Sequence, residues 1–204
     1  MSKNVILTLS LIPLVFLFIL TALGCSPTDT ETEADKISQI EQEINELTDC
    51  DFKVPLPEDY PLTYAYLREP PIAIENEVYF IALKYGIEKG ALLEPYQDES
   101  KVKDIEESQG IRILYGRYEG IAPVMIEYSP VYRDAVVSGV DEVDSWTING
   151  QEVEYYYITR DGKEVITVHL NMGKGGANVK YFLSDKFNEE SAKGFTDYLI
   201  EQMD

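Results

Sequence analysis

Between residues 37 and 47 the apolar positions Ile37, Ile40, Ile44 and Leu47 recur at spacings of three and four, separated by Gln39, Glu41, Gln42, Glu43 and Glu46. That spacing predicts a helix with one narrow apolar stripe, free to pack on its own domain or to pair with another helix. At under two heptads it is short for a coiled coil, so packing on its own domain is the simpler expectation. From Asp51 the pattern changes to Pro, Tyr and β-branched residues, and all 15 tyrosines lie beyond that point. Such residues suit a pleated, half-buried surface. Strands are predicted near 77–85, 111–118 and 123–129, with a short charged helix over 98–108 turning Val102 and Ile105 inward. Asn149-Gly150 and Asp161-Gly162 are two-residue hairpin signals. They separate strands near 143–148, 151–159 and 164–172, and a turn at Gly173-Lys174-Gly175-Gly176 leads to another near 178–184. In the third of these strands Ile166, Val168, Leu170 and Met172 share one side and Thr167, His169 and Asn171 the other. His169, the sole histidine, is therefore expected on the solvent side. Asn188 is placed to cap a last helix whose Ala192, Phe195, Leu199 and Met203 cover the sheet. The fold class that follows is α+β, an antiparallel sheet with covering helices.

The N-terminal pattern is of another kind. Val5 to Cys25 is an apolar run without charge, preceded by Lys3 and ending Thr21-Ala22-Leu23-Gly24-Cys25. About 20 apolar residues are enough to span a bilayer, whereas a signal-peptide core needs about 7–15 before a small-residue cleavage site. Length alone would favour a span. The Gly24-Cys25 ending, however, resembles the lipobox of bacterial lipoproteins, with Ala22 where that family prefers Leu. The resemblance implies a diacylglyceryl group on the Cys25 thiol, cleavage after Gly24 and a protein held at the cell membrane by its lipid. With Lys3 kept inside, either reading leaves the rest of the chain facing out of the cytoplasm. Residues 1–24 then form a lipoprotein signal peptide and 25–36 an acidic tether, polar enough to stay disordered and able to reach on the order of 35 Å. The amphipathic helix occupies 37–49. A single α+β domain fills 50–204, and about 150 residues can bury one good core.

Charge narrows the partners. The chain has 37 acidic residues against 17 basic ones, a net charge of −20, and it lacks the basic cluster that binding to phosphate backbones requires. Nucleic acid is therefore set aside. Anionic headgroups are repelled as well, which leaves the acyl chains as the membrane attachment. A basic protein or peptide, or divalent cations, would suit the surface, and the charge can equally serve solubility alone. With Cys25 committed to lipid, Cys50 has no intramolecular partner. Its choices are burial, an intermolecular bridge or reactivity, burial being the commonest for a lone thiol.

A second resemblance covers about residues 52–204. Phe52-Lys53-Val54-Pro55-Leu56-Pro57, a strand ending Lys84-Tyr85, then Ile148-Asn149-Gly150-Gln151-Glu152-Val153-Glu154-Tyr155-Tyr156 and a closing helix are similar to a domain of unknown function. That domain occurs in Gram-positive lipoproteins and in the outer parts of membrane-bound regulators. It is distantly like the half-barrel of periplasmic lipoprotein carriers, which implies a curved antiparallel sheet with helices on one side. The stretch from Gly86 to Gly120 is longer than that pattern, and His169 stands where it has an aromatic. The family supplies no catalytic residues.

Chemical motifs are few. His169 has no Gly-x-Ser-x-Gly elbow to serve. Ser100-Lys101-Val102-Lys103 matches Ser-x-x-Lys, but Ser184-Asp185-Lys186 lacks the Asn and Lys174-Gly175-Gly176 the hydroxyl of the accompanying motifs. The glycine-rich turn is no phosphate loop. One histidine and one thiol cannot build a structural zinc site, and Asp141, Glu142 and Asp144 form an acidic loop without a calcium-loop pattern. No catalytic, cofactor-binding or metal residue is assigned; Cys25 is the single site residue, for lipid. The expectation is a non-enzymatic, extracytoplasmic lipoprotein acting as a binding, envelope-assembly or sensing module, with a protein or peptide as a candidate partner. The rivals are an envelope hydrolase with an unrecognised carboxylate pair and a half-barrel carrier of an apolar ligand.

Overall fold

The computed structural model describes residues 32–49, 51–68, 80–130, 142–160, 162–172 and 175–202. The expectations for Cys25, Cys50, the tether before Thr32, Asp141 and Met203 lie outside them. Eight antiparallel strands form one open sheet: β1 (Leu62–Arg68), β2 (Phe80–Tyr85), β3 (Ile111–Tyr115), β4 (Val124–Ser129), β5 (Glu142–Ile148), β6 (Gln151–Arg160), β7 (Lys163–Met172) and β8 (Gly175–Phe182). Their order across the sheet is β3-β1-β2-β4-β8-β7-β6-β5. Among the described residues three α-helices accompany it, α1 (Glu33–Thr48), α2 (Glu99–Gln109) and α3 (Glu189–Glu201). The α+β class with a helix-covered antiparallel sheet is the fold.

Helix α1 runs longer than its apolar stripe, and Ile37, Ile40 and Ile44 are buried in the main core with Ala192, Phe195 and Leu199 of α3. It packs on its own domain, and Ala34–Asp204 is one compact unit. A boundary at residue 50 therefore falls inside the core. The chain after α1 is pinned to it by side chains. Asn45 takes both polar groups of Phe52, accepting from its N–H at 2.6 Å and donating to its carbonyl at 3.2 Å, while Glu41 accepts from Val54 N–H at 2.9 Å. Helix α3 begins where expected, with Asn188 Oδ1 accepting from the Ser191 N–H.

Both hairpin turns form. Asn149 and Gly150 each have positive φ, 49° and 81°, the type I′ geometry whose twist matches the flanking strands. Ile148 pairs with Gln151 across this turn, and Arg160 with Lys163 across the next. Strand β8 starts earlier than expected, so Gly175 and Gly176 are paired strand residues opposite Met172 and Asn171. Pairing extends this far because a glycine at 175 leaves room that a Cβ would lose to the backbone of Ser129 and Pro130.

Strand β1 is the element the sequence pattern missed. Its first six residues, Leu62 to Leu67, are all buried, so no alternation marks it. The cause is a second layer. Ala65 and Leu67 face the main core, whereas Tyr64, Tyr66, Ala82 and Ile111 form a separate cluster with Tyr96 and with Ile105 of α2. Helices thus lie on both faces, a departure from the one-sided cover that the carrier resemblance implies.

Candidate functional site

The strand order sets up a cleft at one end of the sheet. β3 lies at the edge beside β1, while β4 lies on the far side of β2, so the segment 116–123 must pass the ends of β1 and β2. It does so as a hydrogen-bonded ribbon against residues 87–93. Gly90 and Leu93 donate to the carbonyls of Glu119 and Arg117, Glu119 donates to Ala91, and Ile87 donates to Ile121. Tyr118 N–H reaches Thr63 O at 3.0 Å, tying the ribbon to β1. Gly86 is needed at the crossing, because a Cβ there would lie 2.7 Å from Thr63 Cγ2 and 2.6 Å from Glu88 O. The β1–β2 register also shifts between Leu62 and Tyr64, where Thr63 hydrogen-bonds the Lys84 carbonyl. Such bulges re-aim neighbouring side chains.

The resulting cleft has a volume of about 450 Å³, within the range of small-ligand pockets. One wall is apolar, from Ile121, Pro123, Met125, Phe182 and Leu183. Lys84, Arg117 and Lys163 supply three cations, and among the described residues no Asp or Glu lines it. Lys84 follows from the register: Tyr64, Lys84, Met125 and Lys180 lie in one row across β1, β2, β4 and β8. Lys180 is neutralised by Glu127 at 2.6 Å. Among the described residues Lys84, Arg117 and Lys163 make no ion pair. Lys84 Nζ and the Arg117 guanidinium instead stand 5.7 and 6.0 Å from the Tyr64 ring centroid. Burial, then Arg117, holds the Lys84 ammonium below the ordinary lysine value, with Glu127 opposing. Burial and the hydrogen bond with Tyr96 push Tyr64 far above the ordinary tyrosine value, so it stays a neutral phenol.

The motifs considered from sequence have structural roles or lie apart. Ser100 donates through both N–H and Oγ to Asp98, the cap of α2, while Lys101 pairs with Glu94 and Lys103 with Glu107. The Ser-x-x-Lys match is a helix start. His169 is half-buried, which corrects the solvent-facing expectation. Its ring lies edge-on to Tyr156 with centroids 5.5 Å apart, Nε2 is buried without a hydrogen-bond partner, and burial lowers its pKa below the ordinary 6.5 against the opposing Asn178 hydrogen bond. Asp144 is exposed, and among the described residues no three His, Cys, Asp or Glu side chains gather as a metal site.

A carboxylate with three hydrogen-bond donors is Glu189, in the first turn of α3. It accepts from Trp146 Nε1 at 3.1 Å, Tyr155 OH at 3.1 Å and Tyr157 OH at 2.8 Å. The Trp146 bond, then that of Tyr157, pulls its pKa down, and Tyr157 is pushed up to about 12, by burial first and then by the Glu189 hydrogen bond. A carboxylate held ionised in this way fastens the β5–β6 hairpin to the helix N-terminus, where negative charge is favoured, and is a poor proton donor. Compared with family models, curated proteins and solved structures, the chain matches none of them.

Proposed function

We propose that this chain is a lipid-anchored, extracytoplasmic binding module that holds a small ligand in the cleft beneath the 116–123 ribbon and does no chemistry on it. The observation that carries this reading is the lining. It offers cations, tyrosines and an apolar wall, the groups that fix and orient a ligand, with no histidine, cysteine or carboxylate among its described residues. An envelope hydrolase would need converging carboxylates, and Glu189 is instead tied to three donors. A carrier of an apolar ligand would need room between helices and sheet, where Tyr85, Tyr181, Phe187 and Phe195 fill the core. The membrane attachment rests on Gly24-Cys25 and the apolar run before it.

Two measurements test the two halves. Metabolic labelling with a fatty-acid probe is expected to mark the wild type and not Cys25→Ser; equal labelling of both sinks the anchor. A ligand that binds only the folded state raises its stability by about 2.7 kcal/mol at a hundred times its dissociation constant. A panel of small molecules of both charges and none should therefore contain some that raise the melting temperature of the full chain. A panel without any stabiliser sinks the binding reading.

A further inference from the structure

We infer that the ligand is an anion with an apolar body, its negative group held by Lys84, Arg117 and Lys163 and its body lying against Met125, Ile121 and Phe182. This inference rests on the binding reading and names the ligand class of the same cleft. The argument is one of charge placement. The chain carries 37 acidic and 17 basic residues, and among the described residues Lys53, Lys101, Lys103, Arg112 and Lys180 pair with carboxylates while others outside the cleft, Arg68 and Lys186 among them, do not. What sets the cleft apart is its composition: its described lining holds three cations and no Asp or Glu, a local reversal of the molecule's net charge. Two of them share one tyrosine ring at about 6 Å.

Keeping like charges together and partly desolvated is costly, and Lys84 registers that cost in its lowered proton affinity. An anion among them removes it, and the guanidinium offers a planar fork suited to carboxylate or phosphate. The low polarity of the Met125, Ile121 and Phe182 wall strengthens that attraction and admits an apolar group beside it. The bulk charge also has a use, since it repels anions everywhere except at the cleft, where field lines from the three cations concentrate.

The test is calorimetric titration of the full chain in nanodiscs of uncharged lipid, with empty nanodiscs as blank. The probes are phenyl phosphate, phenylacetate, benzyl alcohol and benzylamine. One or both anions are expected to bind at a single site, the alcohol and the amine not at all, and whichever anion binds more tightly identifies phosphate or carboxylate as the head group. Arg117→Gln, at an exposed position outside the core, and Lys84→Met are each expected to weaken the anion at least tenfold with the melting temperature kept. Anion binding that is unchanged in both variants overturns the assignment while leaving the binding reading standing. So does a neutral or cationic stabiliser in the panel that outcompetes both anions. Absence of binding by either anion also overturns it, whereas absence of any stabiliser in the wider panel removes the binding reading itself.

Discussion

At the residue scale, the exposure of His169 turns on its neighbours within the sheet. Alternation along β7 places it opposite Val168 and Leu170, which are buried in the main core. Its own face is nonetheless crowded: Thr167 is only 5% exposed, and Tyr156 of the neighbouring strand lies against the imidazole. The consequence is a pH effect whose sign follows from the lowered pKa. Between the folded-state pKa and the ordinary 6.5, the unfolded chain binds more protons than the folded one. Stability is therefore fully present above about pH 6.5 and declines as pH falls through the lower, folded-state value. Urea unfolding midpoints are expected to drop between pH 8 and pH 5 in the wild type and to drop less in His169→Gln. At pH 8 the substitution should cost about 1 kcal/mol, more than an exposed position would. Equal slopes in the two proteins would show that the imidazole is hydrated after all.

At the element scale, α1 illustrates how a short amphipathic helix obtains its stability. Sixteen residues with a single apolar stripe are marginal alone, and the stripe is buried against the same core that receives α3. Ile44 is fully buried. Replacing it with Ala should lower the unfolding free energy by about 2–4 kcal/mol, since a buried isoleucine loses both transfer energy and packing. Starting the chain at Asp51 removes Ile37 and Ile40 as well, together with the Asn45 and Glu41 side chains that fasten Phe52 and Val54. Three such losses, about 6–12 kcal/mol, are as large as the whole stability of a typical domain, about 5–15 kcal/mol. A chain begun at Thr32 is expected to melt cooperatively and one begun at Asp51 is not. A sharp transition in the shorter chain, at an unchanged temperature, would place α1 outside the folding unit.

At the scale of the whole molecule, the net charge of −20 opposes compaction, and ion pairs such as Lys101–Glu94 and Lys103–Glu107, exposed on both sides, offset little of it. Screening should therefore help. Between 0.02 and 0.3 M NaCl the melting temperature is expected to rise by roughly 2–5 °C, as the Debye length shrinks to well under 10 Å. A fall would mean that attractive pairs, chiefly Lys180–Glu127 and Arg112–Glu43, outweigh the repulsion. The features legible in the sequence alone are local: the stripe of α1, the charged helix over 98–108, the cap at Asn188, the Asn149-Gly150 turn, the paired strands β5 to β8 and the sign of the overall charge. Each depends on residues within a few positions of one another, or on a sum that needs no coordinates. The remainder depends on chain crossings. Strand β1 lost its alternation because α2 and the 94–97 turn cover its second face, and His169 was half-buried by side chains of the adjacent strands, Tyr156 and Asn178. The cleft brings together Lys84, Arg117 and Lys163 from three distant parts of the chain, because antiparallel register and the 116–123 crossing aim them at one place. Net charge pointed away from anions, since a sum over the chain carries no record of where three cations meet.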